Sequence, residues 1–202
     1  MKAKNALIIM TKNPVLGKCK TRLAHTLGDE KALEIYIQLL DHTAQYSKEV
    51  NADVFVYSTD ETTDKSRWKH PKTHFRIQSF GDLGNRMNTA IREVITLGYK
   101  KTIVVGSDCA EINSEDIHKA FSRLNTSEIT LGPALDGGYY LIGMKEVNPT
   151  LFQDITWSTD TVLNETISKI KSKKLSYSLL EVKSDIDVEE DLKRKGFIDF
   201  NL

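Results

Sequence analysis

The stretch Ala6-Leu7-Ile8-Ile9-Met10-Thr11-Lys12-Asn13-Pro14-Val15-Leu16-Gly17-Lys18-Cys19-Lys20-Thr21-Arg22-Leu23 changes character once, at Thr11. Before it, apolar residues run without interruption, too few for a helix. That pattern fits a strand buried on both faces of a parallel sheet. After it, Pro14 and Gly17 shape a loop, and Lys12, Lys18, Lys20 and Arg22 stand there with no acid among them. A helix is expected to follow. Such a loop can hold phosphates, because backbone N–H groups and a helix dipole favour anions while Lys and Arg neutralise charge. A solvated basic turn is the plain alternative. The stretch is not a P-loop, since Gly17-Lys18 is followed by Cys19.

The same alternation continues outward. Ala6–Thr11, Val54–Tyr57 and Thr102–Val105 read as strands. Asp29–Val50 reads as a helix with Leu33, Tyr36, Ile37, Leu40 and Ala44 on one face. Leu83, Met87, Ala90, Ile91 and Val94 line another helix, with Asp82 as N-cap and Gly98 as its stop. Ser114 opens a third, with Ile117, Ala120, Phe121 and Leu124 inward. The second half is less regular. Ile129–Leu131 and Tyr139–Met144 read as strands, Thr159–Lys174 as a helix, Leu175–Val182 as an edge strand and Asp187–Arg194 as a short last helix. His70 and His74 fall in a polar loop. The pattern predicts one α/β domain over residues 1–202, three layers deep (α/β/α), with a central mixed, mostly parallel sheet. Ligands in such sheets sit beyond the carboxyl ends of the strands.

Composition sets bounds. The chain has 202 residues, 28 Lys plus Arg and 28 Asp plus Glu, so its formal net charge is zero. A nucleic-acid binder should carry a basic excess, so that class is not expected. Cys19 and Cys109 are too few for a disulfide framework or a four-cysteine zinc site, and no histidines show metal spacing. No run approaches the roughly 18 apolar residues of a membrane span. A cytoplasmic location is the expectation.

Candidate chemistry sits at the strand ends. Thr102–Val105 leads into Gly106-Ser107-Asp108-Cys109, where Asp108 is placed either to ligate a hard cation or to cap the next turn. Asp185 and Asp187 alternate ahead of Glu189-Glu190-Asp191. They can meet Asp108 in space, or Asp187 can cap a helix. Gly132-Pro133-Ala134-Leu135-Asp136-Gly137-Gly138 is turn chemistry and suits a hairpin. It also lets backbone approach a ligand, with Asp136 available for a hydroxyl or as a base. Trp157, Ser158 and Thr159 precede a helix; Trp157 stacks on a sugar or fills the core, and Thr159 caps. Gly81, Asp82 and Arg86 open a glycine-rich helix entry that can contact a nucleotide base or ribose, with nothing in the spacing to choose between them.

Taken in order, Lys12-x-Pro14-x-x-Gly17-x-x-Lys20-Thr21-Arg22-Leu23, Gly81-Asp82-Leu83-Gly84-x-Arg86-Met87, Gly106-Ser107-Asp108-Cys109, Gly132-Pro133-Ala134-x-Asp136-Gly137-Gly138-Tyr139-Tyr140, Trp157-Ser158-Thr159 and Asp185-Ile186-Asp187-x-x-x-Asp191-Leu192 form a set. This set resembles a bacterial family of small GT-A-type glycosyltransferase-like proteins, the DUF2064 type. Some members are linked by name to arsenosugar biosynthesis. The resemblance spans nearly the whole chain. One departure is Ala110, where the family usually has proline after Gly-Ser-Asp-Cys.

The resemblance implies a nucleotide-diphospho-sugar transferase fold, a nucleotide-sugar or nucleoside triphosphate ligand, a small-molecule acceptor, and Mg²⁺ or Mn²⁺. Asp108 would be the metal-binding aspartate, with Asp187, or else Asp185, as the second carboxylate. Lys12, Gly17, Lys20, Thr21, Arg22, Gly81, Asp82 and Arg86 would bind nucleotide and phosphate. Gly137, Gly138, Trp157, Ser158 and Thr159 would bind sugar or acceptor, with Asp108 and Asp136 catalytic. The expected reaction is glycosyl transfer. Nucleotidyl transfer with release of pyrophosphate, similar to guanylyltransferases that activate phospholactate-type acids, stays open, as does a non-catalytic nucleotide-binding role. An oligomer is compatible with this reading.

Overall fold

The computed structural model describes residues 5–61 and 63–194. Strand β1 (Asn5–Met10) is an interior strand of a seven-stranded sheet of order β3-β2-β1-β4-β6-β5-β7. The other strands are β2 (Asp53–Ser58), β3 (Thr73–Ile77), β4 (Lys101–Val105), β5 (Ile129–Pro133), β6 (Tyr139–Met144) and β7 (Tyr177–Leu179). β1 pairs in parallel with β2 in the register Ile8↔Phe55 and with β4 in the register Ile8↔Val104. Only β6 runs antiparallel to its neighbours, β4 and β5, so the sheet is mixed and mostly parallel.

Successive strand residues face opposite sides, and this sorts the apolar residues into two cores. Leu7, Ile9, Val54, Val56, Ile103 and Val105 pack with α1 (Thr21–Leu27), α2 (Asp29–Glu49) and α4 (Ser114–Arg123). Ala6, Ile8, Met10, Phe55, Tyr57 and Val104 pack with α3 (Leu83–Thr96) and α5 (Val162–Ser172). These are the three layers that the alternation predicts. Burial of β1, β2 and β4 on both faces explains why their sequences carry no polar alternation.

Caps set the helix boundaries. The Asp82 carboxylate accepts from Asn85 N at 2.7 Å, which confirms it as the N-cap of α3. Asn113 and Asp116 form a reciprocal capping box at the start of α4. The Asp136–Gly138 turn joins β5 to β6 as the hairpin that its composition suits.

Several expectations need correction. Thr73–Ile77 is an edge strand, so His74 lies in β3 and stacks on Phe55, not in a loop. On α2 the fully buried face passes through Ile35 and Leu39, with Leu33 and Ile37 only half-buried. On α3 Gly84 faces inward, and Leu83 is 41% exposed. α5 begins at Val162, not Thr159, because turns occupy the residues before it. The edge strand expected over Leu175–Val182 shrinks to Tyr177–Leu179. The last helix is a five-residue 3-10 turn, Glu189–Lys193.

Gly84 shows how closely α3 approaches Trp157. A Cβ there would lie 2.5 Å from the indole Cζ2 and 2.7 Å from the Phe152 carbonyl oxygen. Gly84→Ala should therefore destabilise the protein by about 1–3 kcal/mol through overpacking. At this size that lowers the thermal midpoint by about 2–12 °C, measurable by circular dichroism.

Candidate active site

β1 and β4 are neighbours, yet the chain leaves β1 toward β2 on one side and reaches β4 only after β3. Their carboxyl ends therefore mark a topological switch, where open α/β sheets form a crevice. A cleft of about 600 Å³ lies there. Thr11, Lys12, Lys20, Thr21, Arg22, Arg86, Asp108, Asp136, Gly138, Trp157, Ser158, Thr159, Asp185 and Asp187 all line it. The structure thus gathers most of the residues singled out in the sequence. Gly17, Gly81, Asp82 and Gly137 do not line it. Gly17 sits beside Asp29, Asp82 caps α3, and Gly137 at φ +87° passes so close to Asp160 that a Cβ would lie 2.1 Å from its carbonyl oxygen. Gly137 therefore shapes the turn that carries Asp136 and Gly138.

At the centre stands Lys20. It adopts φ 49°, ψ 46°, a left-handed conformation uncommon outside glycine, just ahead of α1. Its side chain is 5% exposed, and its Nζ lies 3.1 Å from Asp108 Oδ1 and 3.0 Å from Asp187 Oδ1. Burial alone would lower the ammonium's pKa; the carboxylates of Asp108 and Asp187 overcome this and hold it above its usual value. The other loop cations, Lys12, Lys18 and Arg22, are exposed.

A strap carries the distant carboxylates to this point. Ile186 N donates to the Asp108 carbonyl at 2.9 Å, and Ser184 N donates to the Glu111 carboxylate at 3.1 Å. Lys183 Nζ is 3.1 Å from Asp116 Oδ2, in a pair largely withdrawn from water, and donates to the Glu111 carbonyl at 2.8 Å. The Asp191 carboxylate accepts from both Asp187 N and Val188 N at 2.9 Å. Asp191, not Asp187, thus supplies the cap at this turn, and the Asp187 carboxylate faces the cleft. Asp136 Oδ1 accepts from Gly138 N at 2.9 Å, so part of that carboxylate holds its own turn.

Asp185 is strongly perturbed. Burial first, then the negative charge of Asp108, lifts its carboxyl to about 7 against the pull of Lys20, and Asp136 and Asp187 add to the rise. The region carries more negative charge than Lys20 offsets. Among the described residues, no three His, Cys, Asp or Glu side chains are drawn together as a ready metal cage. What the cleft offers is two carboxylate oxygens converging on one cation. That suits Mg²⁺ or Mn²⁺, which use hard oxygen ligands, Mg²⁺ commonly with one or two carboxylates plus substrate phosphates.

Two contributors escape the motif reading. The Tyr36 hydroxyl accepts from Lys12 N at 3.0 Å, donates to Lys12 O at 3.1 Å and meets Ser107 Oγ at 3.4 Å. It ties the β1 loop to the β4 end. Gln78 donates through Nε2 to Thr11 O at 2.8 Å and accepts from Arg86 Nη1 at 3.3 Å, which braces Arg86 at the cleft. Tyr36 shows in sequence only as one more residue on the buried stripe of α2. Cys19 and Cys109 are buried thiols whose pKa values burial raises, so neither is primed as a nucleophile.

The Asp185 shift has a measurable sign. Its folded-state value of about 7 lies above the unfolded value of about 3.9, so the native state holds the proton more tightly. That contribution is complete below about pH 4 and is lost as pH rises to about 7. In metal-free buffer the thermal midpoint of Asp185→Asn, relative to wild type, should climb across that window and then stay level. Parallel curves would show that Asp185 titrates in the ordinary carboxylate range.

Among the described residues no helix is long and apolar enough to cross a membrane. No curated protein matches the chain. A solved Desulfovibrio desulfuricans G20 protein, provisionally named a nucleotide-diphospho-sugar transferase, is 30% identical with a TM-score of 0.86, over 93% of this chain and 84% of that one. The fold also matches the inositol-1-phosphate CTP transferase of T. maritima (13% identity, TM-score 0.57, 96% and 93% coverage). It matches Rv0371c of Mycobacterium tuberculosis H37Rv in complex with manganese as well (11%, 0.58, 93% and 95%). At those identities the likeness shows the fold alone. The family model for uncharacterized proteins conserved in bacteria, DUF2064, matches residues 40–159. The match covers more than half of the chain and includes Asp108 and the Asp136 turn, so this protein belongs to the DUF2064 family.

Proposed function

We propose that the protein is a metal-dependent transferase that moves a glycosyl group from a nucleotide-diphospho-sugar to a small acceptor. The observation that carries this reading is the convergence of Asp108 and Asp187 on one cation, 3.1 and 3.0 Å away, at the crevice of the sheet. The name given to the 30% identical Desulfovibrio protein supports the choice of donor.

Asp108 and Asp187 would hold Mg²⁺ or Mn²⁺, with Asp185 behind them. When bound, the ion neutralises charge that develops on the departing diphosphate. Lys12, Lys20, Thr21 and Arg22 meet the phosphates, and Gly17 lets their loop turn. Lys and Arg placed where negative charge grows lower the barrier most if they are fixed beforehand. Arg86, braced by Gln78, faces the nucleoside, and Asp82 caps the helix that carries it. Gly138, Trp157, Ser158 and Thr159, which also line the cleft, receive sugar or acceptor, and Gly137 shapes the turn beside them. The free Asp136 oxygen orients the acceptor hydroxyl or takes its proton.

Asp108→Asn should lower metal-dependent donor turnover by about 10²–10³-fold with an unchanged circular dichroism spectrum. Full turnover in that variant removes Asp108 from the mechanism. Product analysis of the wild type decides the reaction: an intact nucleoside diphosphate marks glycosyl transfer, whereas pyrophosphate marks nucleotidyl transfer.

A true donor should also reveal itself before any acceptor is known. At a hundred times its dissociation constant a ligand adds about 2.7 kcal/mol, and each kcal/mol raises the midpoint by about 2–4 °C at this size. Thermal shifts with sugar nucleotides should therefore require Mg²⁺ or Mn²⁺ and vanish in EDTA. Shifts confined to one nucleoside triphosphate would point to nucleotidyl transfer.

A further inference from the structure

We propose that Lys20 has two stations: it holds the divalent cation's seat between Asp108 and Asp187 in the ligand-free protein, and it moves to the donor's phosphates when the cation enters. The metal then binds well only together with the nucleotide. This inference rests on the carboxylate–metal reading above and adds an order to its ligands.

Three features carry it. The ammonium touches both carboxylates, at 3.1 and 3.0 Å, from a side chain only 5% exposed, so a second cation cannot share that position. The carboxylates themselves are 45% and 47% exposed, so an ion can reach them from the cleft once the ammonium leaves. The backbone of Lys20 sits at φ 49° beside a cationic loop. A non-glycine residue in that region persists only when its surroundings hold it there, and the two ion pairs are among the contacts that fix Lys20.

The charges then decide the order. Displacing Lys20 without a nucleotide would send its charge, unpaired, toward Lys12, Lys18 and Arg22, which are exposed and of like sign. A nucleoside diphosphate supplies the anion that receives it. Coupling of this kind is reciprocal, so the nucleotide tightens the metal by the same factor as the metal tightens the nucleotide.

The test uses the full chain and Mn²⁺ alone, followed by the electron paramagnetic resonance signal of the free ion. Lys20→Met should bind Mn²⁺ about tenfold more tightly than wild type, and a nucleoside diphosphate should tighten Mn²⁺ by about tenfold in wild type but far less in the variant. Lys20→Gln, closer in shape and polar, should behave in the same way and carries the test if Lys20→Met folds poorly. Equal or weaker Mn²⁺ binding in both variants overturns the exchange. Asp108→Asn separates the two ideas. If it abolishes Mn²⁺ binding while the Lys20 variants show no gain, the exchange alone falls. If it leaves Mn²⁺ binding unchanged, the carboxylate site falls and the exchange with it.

Discussion

The two-sided pairing of β1 is the constraint on which the rest depends. β1 accepts β2 along one edge and β4 along the other, both in parallel, so neither neighbour follows the other directly in sequence. The connections leave on different faces of the sheet, α2 on one and α3 on the other, and so part at the ends of β1 and β4. That gap is polar because the strands end in Thr11-Lys12 and Ser107-Asp108: Thr11 and Ser107 stay buried and hydrogen-bonded to each other, while Lys12 is exposed and Asp108 half-buried. The Tyr36 hydroxyl bonds to both ends and keeps the gap from widening.

Electrostatics then organise what enters the gap. A carboxylate at the end of β4 gains little by itself, since nearly half of it faces water. Asp185 and Asp187 from the strap add negative charge, and burial first, with that charge behind it, raises the Asp185 carboxyl. Fixed negative charge of this kind is tolerated because Lys20 is withdrawn from solvent and held between two carboxylates. Perturbed groups of this sort, inside a cleft, are what a working site is expected to show.

The parts of this arrangement that were legible in the sequence share a physical basis. Strands buried on both faces read as unbroken apolar runs, so β1, β2 and β4 were plain. Asp82 and the Asp136–Gly138 turn were plain because caps and tight turns are decided by local hydrogen bonds. β3 was hidden because an edge strand needs only half of its residues to be apolar, and Thr-His-Phe-Arg-Ile is half-exposed. The buried face of α2 lies a fraction of a turn from the one its apolar spacing predicts, because Leu33 and Ile37 are apolar without being fully covered. The convergence of Asp108 with Asp185 and Asp187 rested on a resemblance, not on spacing. No local rule reports a backbone bond such as that from Ile186 to Asp108, and none shows that Lys20 faces inward while Lys12 and Arg22 face out.

The strap has a consequence for how the chain comes into being. Lys20 and its partner Asp187 are 167 positions apart. Contacts of such long sequence separation are slow to form, since much of the intervening chain must first be brought into place. During synthesis, which proceeds from the amino end, β1, its cationic loop and Asp108 emerge well before the segment that completes the site. For that interval the nascent protein holds a nearly whole sheet whose carboxyl end lacks Asp185 and Asp187, and Lys20 has only one of its two counter-ions. A chain interrupted at that stage would keep most of its hydrophobic core yet have no complete cation seat.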